Sequence, residues 1–180
     1  MENPTESAVI VPVPAVEPVV AEHRRRLDPG SAWGVPAHVT VLYPFVPPSE
    51  HGPAVLERLA EAVRSIPAFS CSFGGPDWFN EHVVWLRPEP DASFRALIDA
   101  VWQSFPDYPP FGGDHDDVIP HLTIGQVGTA TLDQLRAAEA AVRPRLPVES
   151  RISEAVLMVG SDAPNSWTVV QRLPLGSLRA

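Results

Sequence analysis

The sequence predicts one mixed domain of strands and helices spanning residues 1–180, on three observations. Apolar residues recur with period two in some segments and with the helical period in others. The breaks between these segments are marked by 22 prolines and 11 glycines, which punctuate the chain every ten to twenty residues. Two strand signals, 69–73 and 82–88, are joined closely enough to form a hairpin or near-hairpin. A chain of 180 residues can bury roughly 70% of its unfolded surface without metal or disulfide staples.

Each element follows in order. "SAVIVPVP" (7–14) reads as a strand and "EPVVAEHRRRLDP" (17–29) as a helix. Its basic run, His23 to Arg26, sits near the C-terminal end, where positive charge suits the dipole, and is expected to be solvated. "PAHVTVLYPF" (36–45) holds a strand with His38, Thr40 and Leu42 on one face and Val39, Val41 and Tyr43 on the other. In "PAVLERLAEAVRSI" (53–66), Val55, Leu59, Ala62, Val63 and Ile66 share one helical face that should pack on a sheet. "FSCSF" (69–73), a Gly74-Gly75-Pro76 turn and "HVVWLRP" (82–88) make the hairpin. The helix "SFRALIDAVWQSF" (93–105) should turn Phe94, Leu97, Ile98, Val101 and Trp102 inward. A polar loop, 106–120, is near the upper length for a structureless connection and leads into the strand "HLTIGQV" (121–127). A helix over 131–146 and strands over 150–160 and 166–175, the last two around an Asp162-Ala163-Pro164-Asn165 turn, complete the chain.

Composition removes whole classes of function. Thirteen basic against 22 acidic residues leave a formal charge of −9, the wrong sign for tracking long duplex nucleic acid by its phosphates. A nucleic-acid substrate would be short or held by one end. All 13 basic residues are arginine. Without lysine there is no lysyl-adenylate, no Schiff base and no P-loop amine. No G-x-S-x-G elbow or C-x-x-C pair occurs either. The single cysteine, Cys71, cannot close an internal disulfide, which fits a reducing compartment, and cytoplasm is the expected location. The N-terminal stretch lacks a basic leader, and Pro12, Pro14, Glu17 and Pro18 break its apolar run, so neither a signal peptide nor a membrane span is expected.

The informative motif occurs twice. "AHVTV" and "PHLTI" place His38 with Thr40, and His121 with Thr123, two apart on strands in the two halves of the chain. Facing one another, such strands would offer two imidazoles and two hydroxyls to one small anion. A neutral imidazole accepts a proton and a charged one donates it, the division that in-line displacement at phosphorus needs. Threonine hydroxyls can bond the non-bridging oxygens, where charge builds up. None of these steps calls for a metal or cofactor.

The paired "HVT" and "HLT" resemble the two-histidine (2H) phosphoesterase superfamily, also called 2'-5' RNA ligase-like proteins. The resemblance covers most of the chain and implies an α+β fold of two pseudo-symmetric lobes, each an antiparallel sheet with helices on its outer face, around a central cleft carrying both motifs. It implies cyclic phosphodiesterase activity on 2',3'-cyclic phosphate ends of RNA or nucleotides, with 2'-5' ligation as a reverse reaction in some members. Residue by residue it carries over to His38, Thr40, His121 and Thr123 alone, with His121 activating water and His38 protonating the leaving oxygen.

Two other readings compete. The same motifs could serve a module that binds nucleotides or RNA ends without turnover. The acidic stretch Asp114, His115, Asp116, Asp117 could hold a divalent ion for a metal-dependent hydrolase, but its spacing matches no ligand scheme, and an EF-hand loop begun at Asp114 would put Ile119 where glycine is needed. A solvated loop is the expectation. Tyr43, Phe45, Trp85 and Phe111 are candidates for stacking on a base, and Arg87 and Arg24 to Arg26 for holding a phosphate, with no spacing to choose among them. His23, His51, His82 and His115 are expected to be surface or structural residues.

Overall fold

In the computed structural model, which describes residues 3–114 and 116–177, the strands are β1 (Glu6–Pro12), β2 (His38–Leu42), β3 (Phe69–Phe79), β4 (Val83–Glu89), β5 (Leu122–Gln126), β6 (Val148–Ile152), β7 (Glu154–Gly160) and β8 (Thr168–Pro174). The helices are α1 (Glu17–Leu27), the single turn α2 (Pro29–Ala32), α3 (Pro53–Arg64), α4 (Ala92–Ser104) and α5 (Leu132–Val142). The strands form two four-stranded sheets, ordered β2-β1-β7-β8 and β5-β4-β3-β6, and every pairing between named strands is antiparallel. The fold is α+β, as expected.

Each sheet carries a pair of helices. The apolar faces of α3 and α4 meet each other and lie against β8 and β2, while α1 and α5 lie together against β5 and β4. Leu59 and Val63 of α3, Phe94, Leu97 and Val101 of α4, and Leu135 and Val142 of α5 are fully buried in the main core, each side chain stabilising by roughly 1.5–3 kcal/mol. The central strands β1 and β7 are buried on both faces, and away from the main core Ala8, Ile10, Val156, Met158 and Trp167 form a second apolar cluster with Trp33 and Tyr43. Gly125 lets α1 approach β5: a Cβ there would lie 2.6 Å from Leu27 Cβ and 2.8 Å from Leu135 Cδ2.

Several expectations are corrected. Gly74, Gly75 and Pro76 lie inside β3, where the register with β4 slips between Phe73 and Pro76, and the chain instead reverses after β3 at Asn80, whose φ of 51° suits asparagine. The run 150–160 is two strands: β6 pairs with β3 and β7 with β1, so the chain changes sheet at Ser153. Trp102 is not inward but 40% exposed. The loop 106–120 contains a 3-10 turn over Pro110–Gly113. Among the described residues no helix is long and apolar enough to cross a membrane.

Candidate functional site

The motif strands are the edges that meet. β2 ends one sheet, β5 ends the other, and the two are in contact. In each strand a bulge follows the threonine. Ile10 pairs with Thr40 but Val9 with Leu42, leaving Val41 extra, and Trp85 pairs with Thr123 but Val84 with Gly125, leaving Ile124 extra. A bulge bends a strand and re-aims its side chains. Here it sends Val41 and Leu42 together into the core and swings Tyr43 to the side of His38 and Thr40. Strict alternation had put Tyr43 on the opposite face from His38, and the bulge is the reason it is not.

The two imidazoles are held alike. His38 Nδ1 lies 2.7 Å from the Pro36 carbonyl oxygen and His121 Nδ1 lies 2.7 Å from that of Ile119. A carbonyl can only accept, so each Nδ1 carries a proton and Nε2 becomes the nitrogen through which each ring exchanges protons. A cleft of about 670 Å³ is lined by His121, Phe79, Phe111 and Gln126, and a cavity of about 300 Å³ by His38, Trp33, Tyr43 and Trp167. Thr40 and Thr123 stand in the walls of both. The four motif residues are therefore gathered at one place, with a cavity beside each histidine.

Around His121, the Phe79 ring meets the imidazole edge-on at 4.8 Å, Trp85 lies 5.8 Å away and Phe111 is near-parallel at 6.1 Å. Of the aromatic candidates, Tyr43 and Phe111 line the cavities, Trp85 is buried beneath Phe79, and Phe45 packs in the core against Phe105. Phe79 and Trp33 were not singled out in the sequence: Phe79 lies beyond the supposed turn, and Trp33 sits between recognised elements.

Of the cationic candidates, Arg24, Arg26 and Arg87 are occupied elsewhere and Arg25 is exposed on α1, away from both cavities. Arg24 is 2% exposed, not solvated, because its guanidinium binds the Asp28 carboxylate at 2.7 Å and the Val35 carbonyl at 3.2 Å. Arg26 pairs with Glu22, and Arg87 pairs with Asp77 and lies over the Trp85 ring. Among the described residues no arginine lines either cavity. His23, His51 and His82 line neither, and His51 bonds the Val46 carbonyl. In the acidic stretch Asp117 is bound by Arg95 at 2.9 Å, His115 lies outside the described residues, and no group of three metal-competent side chains stands among those described.

The pKa of His38 is lowered to about 4, chiefly by burial and next by the Arg24 charge; the bond to Pro36 and the Asp28 carboxylate act the other way, and His121 adds a small lowering. At neutral pH His38 is uncharged.

Two antiparallel sheets whose meeting edges each carry a His-x-Thr motif define the 2H phosphoesterase architecture. Residues 11–164 match the model of the 2'-5' RNA ligase superfamily, and the chain belongs to that family. A Halalkalibacterium halodurans protein, BH1439, classed by inference as a phosphoesterase, is 22% identical over 170 residues, covering 93% of this chain and 95% of its own. The fold is also that of TT0787 from Thermus thermophilus (TM-score 0.68, 19% identity, 97% of this chain and 100% of the other). Escherichia coli LigT, solved with 3'-AMP, is similar as well (TM-score 0.60, 17% identity, 96% and 99%).

Proposed function

We propose that the chain is a metal-independent cyclic phosphodiesterase that opens 2',3'-cyclic phosphate ends of nucleotides or RNA, working in the cytoplasm as one 180-residue unit. The observation that carries this reading is the matched pair of Nδ1 bonds. Each fixes a histidine in the tautomer whose Nε2 trades protons, beside threonines common to both cavities. Water attacks phosphorus and gives its proton to one Nε2; the bond from phosphorus to one ribose oxygen breaks, and that oxygen takes a proton from the other histidine. Thr40 and Thr123 bond the non-bridging oxygens as charge gathers there.

His38, uncharged at neutral pH, can take the proton from the attacking water, and His121 then serves as the donor in this scheme. This is the reverse of the division that the family resemblance implied. The cavity beside His38, with its three aromatic rings, favours a second organic arm at that side. Reversible 2'-5' joining needs such an arm, because a 5'-hydroxyl then takes the place of water. Structures of LigT with 3'-AMP and with ATP support a nucleotide as ligand.

The test offers the pure protein 2',3'-cyclic nucleotides, an RNA ending in a cyclic phosphate and a 2'-5' dinucleotide, all in EDTA. Turnover of a cyclic phosphate is expected. Tight binding of all three without turnover would make this a binding module.

A further inference from the structure

The carbonyls that hold the two imidazoles are themselves held, and by different devices. Before His38 the chain reads Val35-Pro36-Ala37, and before His121 it reads Val118-Ile119-Pro120. In the first, the accepting carbonyl of Pro36 shares a peptide plane with the N–H of Ala37. That N–H donates to Glu17 Oε1 at 2.6 Å, so the plane is bonded on one edge by a carboxylate and on the other by His38 Nδ1. Arg24 holds the preceding carbonyl, that of Val35, at 3.2 Å. Proline fixes φ at residue 36, so ψ is the one torsion of that residue left to turn its carbonyl, and the Ala37 N–H bond to Glu17 opposes that turn.

The second motif cannot use this arrangement. The carbonyl that accepts from His121 belongs to the peptide between Ile119 and Pro120, and proline has no N–H to offer a carboxylate. The hold falls one peptide earlier. Arg95, on α4, reaches the Val118 carbonyl with Nη1 at 3.3 Å, and its fork is braced by Asp91 at 2.8 Å and Asp117 at 2.9 Å. In both motifs an arginine thus holds the carbonyl three residues before the histidine, though one arginine is buried and the other is 38% exposed.

We propose that Glu17 with Arg24, and Arg95 alone, are positioning residues that hold His38 and His121 respectively in the Nδ1–H tautomer. None of the three lines either cavity, and their hold on the tautomer runs through the backbone carbonyls. This inference extends the phosphodiesterase reading by naming what prepares its two proton-exchanging groups, yet the geometry that carries it does not depend on the substrate. The Arg95 hold on the His121 side is exposed to solvent, whereas Arg24 on the His38 side is buried, so salt should weaken the former more.

The experiment is a two-bond proton–nitrogen correlation spectrum of protein labelled with nitrogen-15 in histidine, recorded at pH 8, which distinguishes the Nδ1–H and Nε2–H forms. In the native protein both His38 and His121 should give the Nδ1–H pattern. Arg95→Met should move His121 alone towards the Nε2–H form; Glu17→Ala should move His38 alone. Both residues are partly exposed, so these variants should fold, and each unmoved histidine reports on folding. Arg95→Lys, which keeps one donor but loses the fork, should fall between native and Arg95→Met, and Glu17→Gln should retain the native His38 pattern. Raising salt to 1 M should shift His121 before His38. With a 2',3'-cyclic nucleotide as substrate, Arg95→Met should lower kcat at least ten-fold with KM changed less than two-fold. The proposal is overturned if Arg95→Met and Glu17→Ala leave both spectra native, or if either variant moves both histidines equally. Absence of turnover in the native protein would count against the phosphodiesterase reading alone, because the spectra are read without substrate.

Discussion

Thr40 and Thr123 stand in corresponding places: each follows its histidine by two, each is followed by one bulged residue that is buried in the core, and each borders both cavities. The bulges tie the threonines to the core, since moving Thr40 or Thr123 would drag Val41 or Ile124 out of packing.

From this arrangement the motif residues should separate into two grades. His38→Ala and His121→Ala should each lower kcat on a 2',3'-cyclic nucleotide by about 10²–10⁴-fold, the usual worth of a general acid or base. Thr40→Ala and Thr123→Ala each delete one hydrogen bond to a charged group, worth roughly 1.5–3 kcal/mol, or about ten- to hundred-fold. Steady-state kinetics of the four variants test this, and threonine variants weaker than the histidine variants would defeat it.

Chelation should leave activity intact, because the acid, base and oxyanion donors in this scheme are side chains. Initial rates before and after EDTA and dialysis are the measurement. A loss restored by a divalent ion would redirect attention to the acidic stretch around Asp116 and Asp117.

The lowered pKa of His38 has a stability consequence whose sign can be worked out. Its folded value of about 4 lies below the ordinary 6.5, so between these values the unfolded chain binds more protons than the folded one. Stability from this group is complete above pH 6.5 and is lost as pH falls towards 4, to the extent of about 2–3 kcal/mol. Urea unfolding at pH 7 and pH 4.5 should show a steeper decline for the native protein than for His38→Asn, which cancels the carboxylates common to both. Equal declines would mean that His38 titrates normally.

Gly125→Ala should destabilise by about 1–3 kcal/mol, because its Cβ would press on Leu27 and Leu135 and force α1 away from β5. A urea midpoint unchanged from the native protein would show that α1 yields without cost.

The sequence made the site legible where chemistry repeats at short range. His38 and Thr40, and His121 and Thr123, stand out because two-residue spacing puts each pair on one strand face, and because the pattern occurs twice. What it hid depends on partners distant in the chain or on a break in periodicity. Tyr43 is misplaced by simple alternation because the residue that breaks the alternation, Val41, is an unremarkable valine. Ser153 divides a run of strand-forming residues with no glycine or proline to mark the change of sheet. Arg24 looks like one of three solvated arginines until Asp28 and Val35 are seen around it. Trp102 falls at the margin of its helix face, and an apolar period does not say how far round the helix the core extends.

The strand order has a further consequence for any cut in the chain. A nick within residues 106–120 would leave β1 and β2 on one fragment and β7 and β8 on the other. It would also part β3 and β4 from the flanking β5 and β6. Each fragment would own half the strands of both sheets and one of the two motif histidines, and neither would possess a complete sheet. Two such pieces, expressed separately, should be unfolded alone and regain structure only when mixed, interleaving as they do in the intact chain.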